Sequence, residues 1–200
     1  MIAVKACVGQ GNSKVGKIPT FSLPSRLTCP GASAWCIEHC YARRFERLRP
    51  FCRAGYSRNL VLTWDAERFV STMLAEIPMD LTCFRIHVSG DMYDQSYIDN
   101  WERICLQRPR VQFCAYTRAW GVPGLRPALE SLKQLRNVAL FASTDITMSL
   151  PPEGWRAAFI EGDPRASGLK CSEQNGRSES CLECRYCFMS DAGNVVFRAH

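Results

Sequence analysis

Seven of the chain's twelve cysteines fall into two tight groups whose spacing suits metal chemistry. The first group lies in "TCPGASAWCIEHCYARR" (28–44), where Cys29, Cys36 and Cys40 form a C-x6-C-x3-C pattern. Pro30 and Gly31 open a turn after Cys29, and "SAWCIEHCYARRFERL" reads as one helix. Side chains four apart on a helix stack on one face, so Cys36 and Cys40 would point the same way. Cys29, in the preceding loop, can fold back to meet them. Three thiolates without a local fourth suit an iron–sulfur cluster with one iron open to a ligand, whereas a closed zinc site takes four ligands. His39 is a conceivable zinc ligand, but beside Cys40 it faces another side of the helix and reads as a surface residue. Cys7 or Cys52 would close the site if either joined it.

The second group, Cys171, Cys181, Cys184 and Cys187, has the spacing C-x9-C-x2-C-x2-C. Two-residue gaps let neighbouring thiolates reach one centre from a tight loop, as in the closely spaced cysteines of bacterial ferredoxins. Zinc is the alternative here, although zinc knuckles favour two separated C-x2-C pairs. The insert "SEQNGRSES" supplies no core residue, so the expectation is that a metal orders this tail. Cys83, Cys105 and Cys114 sit in apolar surroundings and read as inert core thiols.

Composition supports thiol chemistry over disulfides. The 200 residues, 46% hydrophobic and 22% charged, make one soluble domain with or without an appendage. No apolar run reaches the roughly 18 residues of a membrane span. The start, "MIAVKACVGQGNSKVGK", lacks the apolar stretch of a secretory leader, which points to the cytoplasm and to no membrane partner. In that reducing compartment clustered cysteines argue for metal or redox chemistry. The net charge of +6 is densest at Arg43, Arg44, Arg47, Arg49 and Arg53. Such a basic stretch either attracts a polyanion, nucleic acid included, or is a solvated helix face.

The elements that must position these groups alternate. "CFRIHVSG" (83–90), "VQFCAYT" (111–117) and "NVALFAST" (137–144) read as strands. Helices are expected at 65–77 (Phe69, Met73, Ile77 inward), 96–107 (Ile98, Trp101, Ile104, Cys105) and 125–135 (Leu125, Leu129, Leu132, Leu135). This rhythm predicts an α/β fold with a parallel sheet. Ligand sites of parallel sheets lie at the carboxyl ends of the strands. Here those ends carry Ser89, Asp91, Tyr93, Thr117, Arg118, Ser143 and Asp145, which would converge on one rim. The expected organisation is a sheet domain over 1–165 and a four-cysteine extension over 166–200.

Taken together, "NSKVGKIPTFSLPSRLTCPGASAWCIEHCYA", "RIHVSGDMYD", "FCAYTRAW", "NVALFASTD" and the cysteine-rich tail resemble the phage "gene product eighty-eight" family. That resemblance covers nearly the whole chain and carries no activity with it. More distantly, C-x6-C-x3-C-Y-A is similar to the C-x6-C-x2-C-Y-A of phage-associated proteins that are radical S-adenosylmethionine-like. The second resemblance implies a partial parallel β/α barrel with a 4Fe-4S cluster at its top, held by Cys29, Cys36 and Cys40, with Tyr41 beside it. Two functional expectations follow. The first is a cluster-dependent redox enzyme in the host cytoplasm. Its open iron binds S-adenosylmethionine or another small molecule, and Ser89, Asp91, Arg118, Ser143 and Asp145 orient that ligand. The second is a non-catalytic protein, stabilised by zinc or iron–sulfur centres, whose basic helix meets nucleic acid or a host protein.

Overall fold

A computed structural model describes residues 5–12, 14–189 and 191–199. Part of the leader reading falls on the first four residues, which lie outside this set. Eight strands form one sheet: β1 (Val8–Gly9), β2 (Thr20–Phe21), β3 (Cys83–Ile86), β4 (Gln112–Thr117), β5 (Val138–Ser143), β6 (Arg156–Ile160), β7 (Leu169–Lys170) and β8 (Val195–Phe197). Their order is β1-β2-β3-β4-β5-β6-β8-β7, with β1–β2 antiparallel and every other pairing parallel. The expected alternation and parallel sheet are therefore present. The sheet is open, with β1 and β7 at its two ends rather than closed on each other.

Strand alternation gives the sheet two different faces. Phe84, Ile86, Phe113, Ala115, Val138, Leu140 and Ala142 point to one side, where they meet α4 (Ala66–Glu76), α5 (Gln95–Leu106) and α6 (Arg126–Lys133). The inward helical residues are the expected ones: Phe69, Met73 and Ile77, then Ile98, Trp101, Ile104 and Cys105, then Leu129 and Leu132. Leu125 and Leu135 are only partly buried, at the ends of α6. Trp101 anchors this layer edge-on to Phe21 and Phe69, at centroid distances of 5.7 and 5.6 Å. Asp65 and Asp94 cap the N-termini of α4 and α5 by accepting from Arg68 N and Tyr97 N.

The other face carries Cys83, Cys114, Ala139, Phe141, Ala158 and Val195. The C-terminal segment covers it with Cys171, Cys181, Leu182, Tyr186, Cys187 and Phe188. A parallel sheet buries both faces, and the tail does here what a second helical layer does elsewhere. The described residues of this segment also contribute β7 and β8 to the sheet.

The single helix expected from Ser33 to Leu48 is two helices. Ser33 caps α1 (Ala34–Glu38) by accepting from Cys36 N, and the helix ends at His39. His39 stacks on Trp35 at 4.4 Å. Cys40, with φ −69° and ψ 99°, is extended and is the N-cap of α2 (Tyr41–Leu48). Contacts to the sheet draw α2 out of line: Tyr41 OH donates to Val88 O at 2.6 Å, and Glu46 Oε1 accepts from Ser25 N and Ser89 Oγ. Cys36 and Cys40 thus sit on two short helices instead of one face. A further helix, α3 (Pro50–Thr63), buries Gly55, Asn59, Leu62 and Thr63. Its Asn59 accepts from Cys7 N and donates to the carbonyls of Cys7 and Ser22, clamping β1 and β2.

Candidate functional site

The carboxyl ends of β3, β4 and β5 and the cysteine loop meet in one polar network. After β3 the chain turns through His87, a non-glycine residue at φ +66°, and Gly90 at φ +79°. A Cβ on Gly90 would stand 2.6 Å from both Leu23 Cβ and Thr28 Oγ1. This turn buries Asp91, whose Oδ2 accepts from Arg118 N at 2.8 Å and Oδ1 from Met92 N at 2.7 Å. Burial raises the Asp91 carboxyl to about 6, against the opposing hydrogen bonds from Thr117, Arg118 and Met92.

Arg118, at the end of β4, forms an ion pair with Asp145, at the end of β5. Their side chains are only 9% and 1% exposed. Asp145 Oδ2 also accepts from Ser33 Oγ at 2.6 Å, and its Oδ1 accepts from Thr147 N and Oγ1 at 2.9 and 2.6 Å. Burial alone would raise Asp145; the hydrogen bonds from Ser33 and Thr147, with the Arg118 charge, bring it down to about 2. Arg165 holds the following turn by donating to the carbonyls of Asp145 and Met148, both at 2.7 Å. Because Ser33 also caps α1, this network ties the strand ends to the helix that carries Cys36.

The cysteine loop lies directly on β4: a Cβ on Gly31 would fall 2.1 Å from Arg118 O. Cys29, Cys36 and Cys40 are half-buried. Burial pushes the Cys29 thiol up to about 12, with Asp91, Cys36 and Cys40 adding to the rise. Cys36 is raised by burial too, opposed by Arg118 and reinforced by Cys40, Asp91 and Asp145. The three sulfurs are thus within each other's electrostatic range, beside the carboxylates of the rim. Tyr41, 45% exposed, is also acted on by all three thiols and by Arg85.

Cys7 and Cys52 go elsewhere. The Cys7 sulfur packs on α3, 2.5 Å from where a Gly55 Cβ would lie. Both thiols instead act on Tyr56, which burial raises to about 12. His39 is exposed, with Nδ1 3.0 Å from Trp35 O.

Of the other residues expected on the rim, Thr117 hydrogen-bonds Asp91. Ser89 is tied to Glu46 Oε1 at 2.5 Å. Ser143 accepts Trp120 Nε1 on its backbone carbonyl at 2.9 Å. Tyr93 turns away, bonded to Thr63 Oγ1 at 2.8 Å and stacked on Tyr97 in the helical layer. Ser33, Glu46, Thr147 and Arg165 were not anticipated. Ser33 stands three residues before Cys36, a capping position legible in the sequence.

The second group gathers on the sheet face opposite α4–α6. Cys187 is pushed up to about 11 by burial; Cys181 and Cys171 also raise it, while a hydrogen bond from Tyr116 and the Arg85 charge oppose the rise. Burial and Cys171 likewise raise Cys181. Cys184 lies half-buried at the end of the short helix α7 (Cys181–Cys184). Cys83, Cys105 and Cys114 are buried as expected, and Cys114 lies within range of Cys181 and Cys187. Arg85, a charged residue on β3, acts on the thiols of the tail face, Cys114, Cys181 and Cys187. Its guanidinium lies 4.5 Å from the Tyr116 ring centroid and acts on both Tyr41 and Cys181.

Among the described residues no group of three or more His, Cys, Asp or Glu side chains stands at metal-holding spacing. By residue type alone, three cysteines are a donor set that an iron–sulfur cluster takes. The three half-buried thiols act on one another electrostatically, and Arg118 is the one cation found acting on Cys36. Three thiolates there need the positive charge that iron supplies. In the tail, Cys171, Cys181 and Cys187 act on one another electrostatically, whereas Cys184 is not among the groups acting on them.

The model of the family described as Gene product 88 matches residues 4–168. The chain belongs to this family. The match takes in the first cysteine group and every strand-end residue of the rim, and it stops before the four-cysteine tail. Among curated relatives in the Gene product 88 family, the Gene 88 protein of Mycobacterium phage L5 is 30% identical over 94% of this chain and 89% of its own length. The Gene 88 protein of Mycobacterium phage D29 is 28% identical over 88% of this chain and 85% of its own length. No solved structure matches the chain. No helix among the described residues is long and apolar enough to cross a membrane.

Proposed function

We propose that this Gene product 88 family member is an iron–sulfur enzyme of the host-cell cytoplasm, with a partial β/α barrel related to radical S-adenosylmethionine-like proteins. In this reading Cys29, Cys36 and Cys40 hold a 4Fe-4S cluster with one iron open to a small-molecule ligand, S-adenosylmethionine being the first candidate. Cys171, Cys181, Cys184 and Cys187 hold a second cluster, for which zinc is the alternative. When bound, an open cluster supplies a coordination position and an electron. Everything else falls to the chain's own side chains. Arg118 offers a fork for a ligand carboxylate and Asp145, held ionised, an acceptor for an amine or hydroxyl. Ser143 lies at the same strand end. Asp91 fixes the backbone of Arg118, and Ser89, through Glu46, holds α2 against the β3 end. Tyr41 closes one side of the trio.

The observation that carries this reading is the meeting of three thiols with a buried Arg118–Asp145 pair at the carboxyl end of a parallel sheet. The test is iron, sulfide and zinc analysis of protein purified without oxygen. Sulfide with matching iron, reduced by about half in Cys36→Ala and by the other half in Cys187→Ala, is the expected result. Stoichiometric zinc without sulfide at both groups would overturn it.

A further inference from the structure

The segment from 40 to 60 holds six arginines and no lysine against one glutamate, a net +5 of the chain's +6. Its one carboxylate, Glu46, is spent inward on Ser25 N and Ser89 Oγ. Arg43, Arg44, Arg47, Arg49, Arg53 and Arg58 are exposed on α2 and α3. Among the described residues, none of the ion pairs engages any of them. Two aromatic rings stand out among these charges: Phe51 is 91% exposed, and Phe45 lies under the Arg49 guanidinium at 5.0 Å. A folded chain does not ordinarily leave so many like charges unpaired around bare rings without a polyanion to meet them.

We infer that this α2–α3 corner binds single-stranded nucleic acid. Guanidinium forks match phosphate oxygens, and exposed phenyl rings stack on bases of any sequence. A duplex hides its bases and would leave Phe51 unused. An anionic bilayer calls for one continuous apolar face. Here the exposed Phe45, Leu48 and Phe51 are interleaved with Arg44, Arg47, Arg49 and Arg53 and divided by the break at Arg49. The inference stands on surface charge and rings alone and does not depend on what the thiols hold.

Fluorescence anisotropy with a labelled oligothymidine of about 20 nucleotides tests it, with a duplex of equal length and phosphatidylserine vesicles as the other arms. Tighter binding to the single strand is expected, with a log–log salt slope of about −3 for some four phosphate contacts. The double variant Arg43→Gln/Arg47→Gln lowers that slope by about 1.4. Phe51→Ala weakens single-strand binding roughly tenfold at unchanged slope. Phe51 is so exposed that this variant folds as the wild type does, which thermal melting checks. Equal affinity for duplex and single strand, an unaffected Phe51→Ala, or binding to vesicles without binding to oligothymidine would each overturn the inference.

Discussion

Replacing Asp145 by asparagine removes one charge from the rim and leaves the shape in place, so its effect can be worked out. Asp145 is 1% exposed and its carboxyl is held at about 2 against an ordinary 3.8. A depressed carboxyl stabilises the fold above its ordinary pKa, and this contribution is lost as pH falls through the folded value. The difference of nearly two units corresponds to roughly 2–3 kcal/mol at pH 7. At pH 3, where the unfolded chain is mostly protonated and the folded one is not, roughly half of that remains. Asp145→Asn stands in for the protonated form and should be less stable than wild type by these amounts. Urea unfolding of both proteins from pH 7 down to pH 3 measures the gap. A gap that is absent at pH 7, or constant across this range, would refute the claim that Ser33, Thr147 and Arg118 hold Asp145 ionised.

Three further outcomes follow from the same geometry. Gly31→Ala places a methyl group against the Arg118 carbonyl oxygen, so it should cost about 1–3 kcal/mol in urea unfolding and deplete the first metal complement while sparing the tail's. Asn59→Ala strands three backbone partners at Cys7 and Ser22 and should destabilise by roughly 3 kcal/mol, detached from any change in metal content. In metal-free protein the Cys29 thiol, pushed up to about 12 by burial, should alkylate slowly at neutral pH and faster by nearly tenfold per pH unit up to that value. Mass-spectrometric alkylation rates at each cysteine check this, and a Cys29 that reacts as fast as a free thiol contradicts it.

What the sequence disclosed followed from periodicity. Phe69, Met73, Ile98, Trp101 and Leu129 announce their helices because each face is apolar, and β3–β5 are short runs between turn residues. Helix α3 escaped notice because its buried positions include Gly55, Asn59 and Thr63, which have no apolar signature. The break between α1 and α2 is equally silent in propensity. It arises from contacts made over long separations, Tyr41 to Val88 and Glu46 to Ser89. At the site, Asp91, Arg118 and Asp145 were legible as polar strand ends, whereas Tyr93 was misplaced because it lies past the turn, where the chain has already swung toward α5. The tail's sequence is mostly polar. Its few apolar residues, Leu182, Tyr186 and Phe188, are nevertheless enough to cover the second sheet face.

The most direct test of the central claim is electron paramagnetic resonance of the anaerobically reduced protein, in wild type and in Cys187→Ala, before and after adding S-adenosylmethionine. A 4Fe-4S signal that survives Cys187→Ala, disappears in Cys36→Ala and changes shape on adding S-adenosylmethionine is the expected result. A signal confined to the tail, with none assigned to Cys29, Cys36 and Cys40, would contradict it.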